Sequence, residues 1–160
     1  MLSVKLWGGK LWYQVKLTSY DWKDILIEYC THYTLLKKIN DKFGHVHGDL
    51  FLKEFSKILQ KTFSIVENKT FRYGGDEFVA IVYNSDKEII HKCLNDLHEN
   101  TIRVNLKAIN LSNISFSCGV YFVNEEMLLK DAMVLADKAM YVCKKKRKQK
   151  IDCKYVIYED

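Results

Sequence analysis

An α/β (α+β) chain built on a mixed sheet flanked by helices is what the sequence predicts, on three observations. Strand-like runs alternate along the chain with apolar repeats at helical spacing. Gly-Gly pairs at 8–9 and 74–75 stand between apolar runs, a strong short hairpin signal because primed turns need positive φ. The 160 residues, 48% of them apolar and none of them proline, fit one domain with one core.

Taken in order, Val4-Lys5-Leu6-Trp7, then Gly8-Gly9, then residues 10–17 read as an N-terminal β-hairpin extension. It would occupy 1–24, with the domain proper at 25–160. A lone hairpin is not stable in water, so Trp7, Trp12 and Tyr13 should pack on the parent sheet, or serve a protein partner. Residues 25–33 (ILIEYCTHY) would form the central strand, and 34–43 a short helix. Residues 44–49 read as a turn opening a long helix, with Asp49 at an N-cap-like position. Phe51, Phe55, Ile58, Leu59 and Phe63 recur at helical spacing as its core face. Residues 69–73 and 77–83 make a hairpin, and Ser85 would cap a helix over 86–100. Strands are expected at 103–109 and 113–123, the second alternating Ile114, Phe116, Cys118 and Val120. Leu128, Ala132, Leu135, Ala136, Ala139 and Cys143 mark a last amphipathic helix, and 154–158 closes as an edge strand.

Bulk properties exclude several classes. No apolar run is long enough to span a bilayer, and the N-terminus lacks a signal-peptide layout, so a cytoplasmic location is expected. Five scattered cysteines, never in a C-x-x-C pair, argue for free thiols and against a disulfide framework or a zinc site. Much of the +5 net charge lies in Lys144-Lys145-Lys146-Arg147-Lys148-Gln149-Lys150. Such a run can touch nucleic acid or acidic lipid, but it also suits a solvated helix end. No aromatic is interleaved with it, so DNA or RNA is not expected as a partner, and a nucleotide triphosphate is the better-matched anion.

The chemistry concentrates in Phe71-Arg72-Tyr73-Gly74-Gly75-Asp76-Glu77-Phe78-Val79-Ala80-Ile81-Val82. It reads as strand, two-glycine turn and strand. Its tip would be an exposed place for Asp76 and Glu77, and bare glycines let a phosphate or sugar approach the backbone. From spacing alone, a tight turn with a solvated Asp-Glu pair suffices. The letters say more. The stretch resembles the signature of the GGDEF family, the diguanylate cyclases, which join two GTP molecules into cyclic di-GMP. The resemblance continues through residues 39–45 (INDKFGH), Gly48-Asp49, 117–120 (SCGV), 136–141 (ADKAMY) and Lys144, over about 25–158.

That resemblance implies a palm-like fold shared with nucleotidyl cyclases, on a mainly antiparallel central sheet. It also implies Mg²⁺ or Mn²⁺ as cofactor, GTP as substrate, and a homodimer in which each half-site holds one GTP. Asp76 would bind metal and help with the 3′-hydroxyl, Glu77 would support the same site, and Gly74 and Gly75 would admit the substrate. Asn40 and Asp49 match residues that hydrogen-bond the guanine edge; a helix-terminal Asn and an N-cap Asp are their plain alternatives. Backbone amides at Leu35 and Leu36, with Lys37 beside them, would cradle the outer phosphates. Lys144 matches a phosphate-contacting lysine; Lys148 stands where the family has arginine and loses the bidentate fork.

The pattern departs from the family in three further places. The first-strand motif D-x-D-x-F-K-x-I-N-D falls here on His32 and Thr34 instead of two acids. Imidazole is a poor magnesium ligand, so His32 is a doubtful metal residue. Glu28 would need a strand shift of about 13 Å to replace it. The entry segment D-x-L-T-x-L-x-N-R has no match. The R-x-x-D inhibition motif falls on Ile65 and Asn68, so feedback inhibition there is not expected. Two readings follow: a diguanylate cyclase with weakened activity, or a degenerate domain that binds GTP and signals through contacts without turnover. A pure interaction module using the Trp-rich hairpin is a third.

Overall fold

The computed structural model describes residues 16–17, 25–31, 33–83, 85–103, 105–106, 111–112, 116–124 and 126–159. The apolar run at 25–31 is the centre of the main sheet. β1 (Lys16–Leu17) precedes it, and β2 (Ile25–Thr31) is followed by α1 (Tyr33–Phe43) and α2 (His45–Thr62). A 3₁₀ turn at Phe63–Ile65 leads to the hairpin of β3 (Asn68–Gly74) and β4 (Glu77–Val82). Then come α3 (Lys87–Arg103), the short pair β5 (Asn105–Leu106) and β6 (Leu111–Ser112), and β7 (Phe116–Phe122). β8 (Met127–Leu128), α4 (Leu129–Lys148) and β9 (Val156–Ile157) complete the order.

The main sheet runs β3-β4-β2-β7-β9. Every pairing is antiparallel except β7 with β9. β2 is flanked on both sides: Cys30 stands opposite Glu77 of β4 and Ser117 of β7. Strand alternation sorts the flanking side chains into two cores. Phe78, Ala80 and Val82, with Phe116, Cys118 and Val120, pack against Phe51, Phe55 and Leu59 of α2 and Ile90, Leu94 and Leu97 of α3. Val79, Ile81, Tyr121 and Val123 meet Leu129, Ala132, Met133 and Ala136 of α4 on the other face. Phe55 is the hub of the first core, its ring centroid 5.1 Å from Phe78 and 5.7 Å from Phe116. Burying such side chains contributes about 1.5–3 kcal/mol each. On the second face, Gly119 lets α4 lie directly on β7. A methyl group there would collide with the backbone of Ala136 and Met140.

Several elements differ from expectation at their ends. α2 begins at His45 with Gly44 (φ 85) as its N-cap, so Asp49 lies one turn inside the helix and caps nothing. The small, permissive glycine turns the chain, and residues 45–48 wind directly into helix. Ser85 does not cap α3: the helix starts at Lys87, and the buried Ser85 Oγ has no hydrogen-bond partner. α3 also runs on to Arg103, the first residue of the strand expected at 103–109; of the rest, 105–106 is described and pairs with β6, and residues 104 and 107–109 lie outside the described residues. Of the strand expected at 113–123, β7 covers Phe116–Phe122, residues 113–115 lying outside the described residues, and the closing strand is the two residues of β9. Of the N-terminal hairpin, Lys16–Leu17 is described and pairs with β8, Lys16 opposite Leu128. Trp7, Trp12, Tyr13, His32 and Ile114 lie outside the described residues. Cys93, Cys118, Cys143 and Cys153 are free buried thiols. No helix among the described residues is long and apolar enough to cross a membrane.

Candidate functional site

The β3–β4 turn differs from a symmetric Gly-Gly tip. Gly74 still pairs with Glu77, so the two turn residues are Gly75 and Asp76. Only Gly75 has positive φ (50), the sign pattern of a turn that needs glycine at its first central position alone. β3 shifts register between Arg72 and Gly74, and Arg72 Nε donates to the Gly75 carbonyl oxygen at 2.7 Å. Such irregularities re-aim side chains. The outcome is that Asp76 is turned inward, 6% exposed, rather than presented at a solvated tip. Glu77 beside it is half-buried, as the first residue of β4.

Burial pushes the Glu77 carboxyl above its usual range, and the negative charges of Asp76 and Asp137 push it further; Lys144 opposes them. That places β4 and α4 in one electrostatic neighbourhood. Asp137 and Lys144 are seven residues apart on α4, which puts them on one helix face. Lys144 is half-buried and Lys148, one turn on, is exposed.

The start of α1 belongs to the same end of the sheet, because Tyr33 comes three residues after Cys30, the partner of Glu77. Leu35 is in the helix's first turn, where N–H groups lack intrahelical acceptors. Leu36 closes that turn and its side chain packs on the α2 core; Lys37 is exposed. Asn40 lies about 10 Å along α1 from its start at Tyr33, at the usual helical rise. Gly48 gives it room: a methyl group there would collide with Asn40 Oδ1 and come within 3.2 Å of Leu36 Cδ1. Asn40 Oδ1 is covered and has no hydrogen-bond partner. Asp49, exposed, is the next residue after Gly48. The fold therefore brings Asn40 to the segment carrying Asp49, and Asp76 and Glu77 to Lys144.

Two oxygen-donor side chains, Asp76 and Glu77, are adjacent. Hard divalent cations take carboxylate oxygens and complete their shells with phosphate and water, so the pair fits such an ion. No group of three His, Cys, Asp or Glu that could hold a metal occurs among the described residues. Asp137 and Arg72 were not singled out as site residues by sequence reasoning. Helical spacing to Lys144 could have found the first; nothing local marks the second. At the position of the inhibition motif, Ile65 is 63% exposed, and Asn68 Nδ2 donates to the carbonyl oxygens of Phe63 (2.7 Å) and Val66 (3.0 Å). Asn68 is thus part of the turn that launches β3.

Residues 29–150 match the family model described as diguanylate cyclase, GGDEF domain. The chain is 34% identical over 115 residues to the probable diguanylate cyclase DgcI of Escherichia coli K12, covering 72% of this chain and 24% of that protein. It is 30% identical over 120 residues to diguanylate cyclase A of Treponema denticola, covering 72% of this chain and 31% of that protein. This chain thus spans about a quarter to a third of those relatives. In fold it is similar to the active GGEEF domain of a diguanylate cyclase from Vibrio cholerae, with TM-score 0.71, 24% identity, and 86% and 84% of the two chains covered. It is also similar to the coiled coil and GGDEF domain of DgcB from Caulobacter crescentus in complex with c-di-GMP, with TM-score 0.67, 20% identity, and 77% and 65% covered. The palm-like sheet, the signature hairpin and the matched span together make this chain a member of the GGDEF-domain, diguanylate cyclase family.

Proposed function

We propose that this domain binds GTP and, as a homodimer, joins two GTP molecules into cyclic di-GMP with reduced activity. The observation that carries the reading is the inward Asp76 beside Glu77, a carboxyl raised above its usual range chiefly by burial and then by the charges of Asp76 and Asp137. Members of the family generally use divalent metal ions. Here Asp76 and Glu77 would hold the ion, with His32 a doubtful third, and Mg²⁺ or Mn²⁺ when bound would neutralise phosphate charge. Gly74 and Gly75 leave space at the turn for substrate. Lys144 and Lys148 bind phosphate oxygens, joined by the backbone at Leu35 and Leu36 and by Lys37. Asn40 and Asp49 hold the guanine edge, and the unpartnered Asn40 Oδ1 is an acceptor that a guanine N–H would satisfy once the amide turns outward. The 3′-hydroxyl oxygen of each GTP forms a bond to the α-phosphorus of the other, two bonds in all. At each α-phosphorus the bond to pyrophosphate breaks, and each hydroxyl proton leaves toward the Asp76 of its half-site.

The second reading is a domain that binds GTP without turnover. It is favoured by His32 and Thr34 in place of two acids and by only two adjacent carboxylates at the hairpin. The work would take place in the cytoplasm, where GTP is available. Residues 1–24 would be an extension of the 25–160 domain, open to a protein partner.

Incubation with GTP and Mg²⁺ or Mn²⁺, followed by chromatography, separates the readings. Cyclic di-GMP that disappears in Asp76→Ala supports the enzyme, and GTP binding without product supports the second reading. If no guanine nucleotide binds, both are wrong and the interaction-module reading gains. In an otherwise sound site, His32→Asp raises metal affinity or turnover.

A further inference from the structure

The end of α4 carries a surface of which nucleotide binding uses only Lys148. Val142 is 41% exposed, Tyr141 56% and Ile151 52%, and around them Lys145, Lys146, Lys148 and Lys150 are all exposed. Arg147 turns away from this group: its Nη1 donates to the Cys153 carbonyl oxygen at 3.0 Å. Lys145 Nζ stands over the Tyr141 ring, 5.5 Å from its centroid. Asp152 is the one exposed acid in the 141–152 segment.

The way the helix ends explains why Ile151 is bare. Lys150 N–H donates to the Arg147 carbonyl oxygen and Ile151 N–H to that of Lys146, both at 3.0 Å, with Lys150 at φ 60. This is a Schellman termination, in which the residue in the place of Ile151 commonly makes an apolar contact with the one in the place of Lys146. Here that neighbour is a lysine. The backbone therefore fixes Ile151 in position without giving its side chain an apolar partner of the usual kind. Val142 lies one turn before Lys146, so the two aliphatic side chains flank the cations.

We infer that this end of α4 docks on an anionic lipid surface, with Val142, Ile151 and Tyr141 entering the headgroup boundary and the four lysines facing lipid phosphates. Clusters of four or more cations on an amphipathic helix suit acidic lipid, and buried apolar area adds to the attraction. The patch favours lipid over nucleic acid, because Val142 and Ile151 offer a base no stacking plane and the ring beside them, Tyr141, has Lys145 Nζ standing over it. A lipid interface gives them somewhere to go, and tyrosine is at home there.

Co-sedimentation of the nucleotide-free chain with vesicles tests this independently of any cyclase activity. Vesicles of phosphatidylglycerol and phosphatidylcholine in equal parts should carry the protein down, and pure phosphatidylcholine should not. Added salt should weaken the binding steadily, a reading that needs no variant. Replacing two cations together (Lys145→Gln with Lys146→Gln) should weaken it about thirty-fold. Val142→Ser with Ile151→Ser should remove the binding that survives in salt, with melting temperature as the check on folding. Equal sedimentation with neutral and acidic vesicles, or none with either, overturns the proposal. So does tighter binding to duplex DNA that is indifferent to the serine changes.

Discussion

Glu77 is the residue where fold and chemistry pull in opposite directions. Its carboxyl is raised above the usual 4.5 by burial first and by Asp76 and Asp137 next, so the folded state holds the ionised form less readily than the unfolded state does. Linkage then fixes the sign. Below pH 4.5 both states are protonated and Glu77 is neutral to stability; as pH rises through that value and past the folded one, its ionisation opposes folding. Glu77→Gln should therefore raise the melting temperature near neutral pH, and the gain should vanish in acid. A loss of stability near neutrality would contradict the account. Added Mg²⁺ or Mn²⁺ should stabilise the native chain and do less for the Gln variant, because the ion relieves the same repulsion. Gly48 offers a second test. In Gly48→Ala the methyl group meets the movable end of Asn40 rather than backbone. The expected outcome is a fold that melts near the native temperature and a guanine affinity about ten-fold weaker, for one displaced hydrogen bond. Calorimetry with GTP measures this; native affinity in the variant would remove Asn40 from the pocket.

At the level of elements, the site is the meeting of one hairpin with two helices. α4 reaches the hairpin because it can lie on β7 at Gly119, and this contact carries Asp137 and Lys144 to Glu77. Gly119→Ala should separate the two layers. The obstacle is the backbone of Ala136 and Met140, which cannot rotate aside, so a loss of about 1–3 kcal/mol is expected from denaturant unfolding. Phosphate affinity should fall with it, since Lys144 moves with the helix. An unchanged midpoint would mean that α4 tolerates more space than the packing suggests. The hairpin's own shape depends on Arg72, whose bond to Gly75 closes the irregular turn across the register shift.

Across the whole molecule, the two cores and the returning chain after α4 hold these elements in one frame. His98 of α3 reports on that closure. Its ring lies 6.2 Å from Phe116 on β7, and its neighbours across the fold include Asp152, Arg147 and Lys154. Burial chiefly depresses its pKa below 6.5; Arg147 and Lys154 add to this, while Asp152 and Glu99 oppose it. A depressed folded pKa contributes stability that is complete above 6.5 and lost as pH falls through the folded value. Melting curves should show an acid limb beginning just below neutrality, and His98→Gln should flatten it. An acid limb identical in the variant would assign the loss to the carboxylates. The same returning chain carries Cys153, whose free thiol donates a hydrogen bond to Cys143 Sγ at 2.6 Å and is pushed up to about 12, mainly by burial.

Much of this was legible in the residues themselves. Period-two and period-3.6 apolar patterns depend on local geometry alone, so β4, β7, α2 and α4 and their core faces could be read directly, as could the letters of Gly74 to Phe78. Element ends were not legible, because caps compete locally on small energies: Asp49 and Ser85 carry good capping chemistry, yet Gly44 and the residues after Ser85 took those ends. Nor could the chain's order show that Asp76 turns inward, that Gly48 shelters Asn40, or that Asp137 stands near Glu77. Local periodicity and turn chemistry determined the secondary elements and the family signature. Burial and charge proximity arise from packing between residues distant in sequence, and only the tertiary structure decided them.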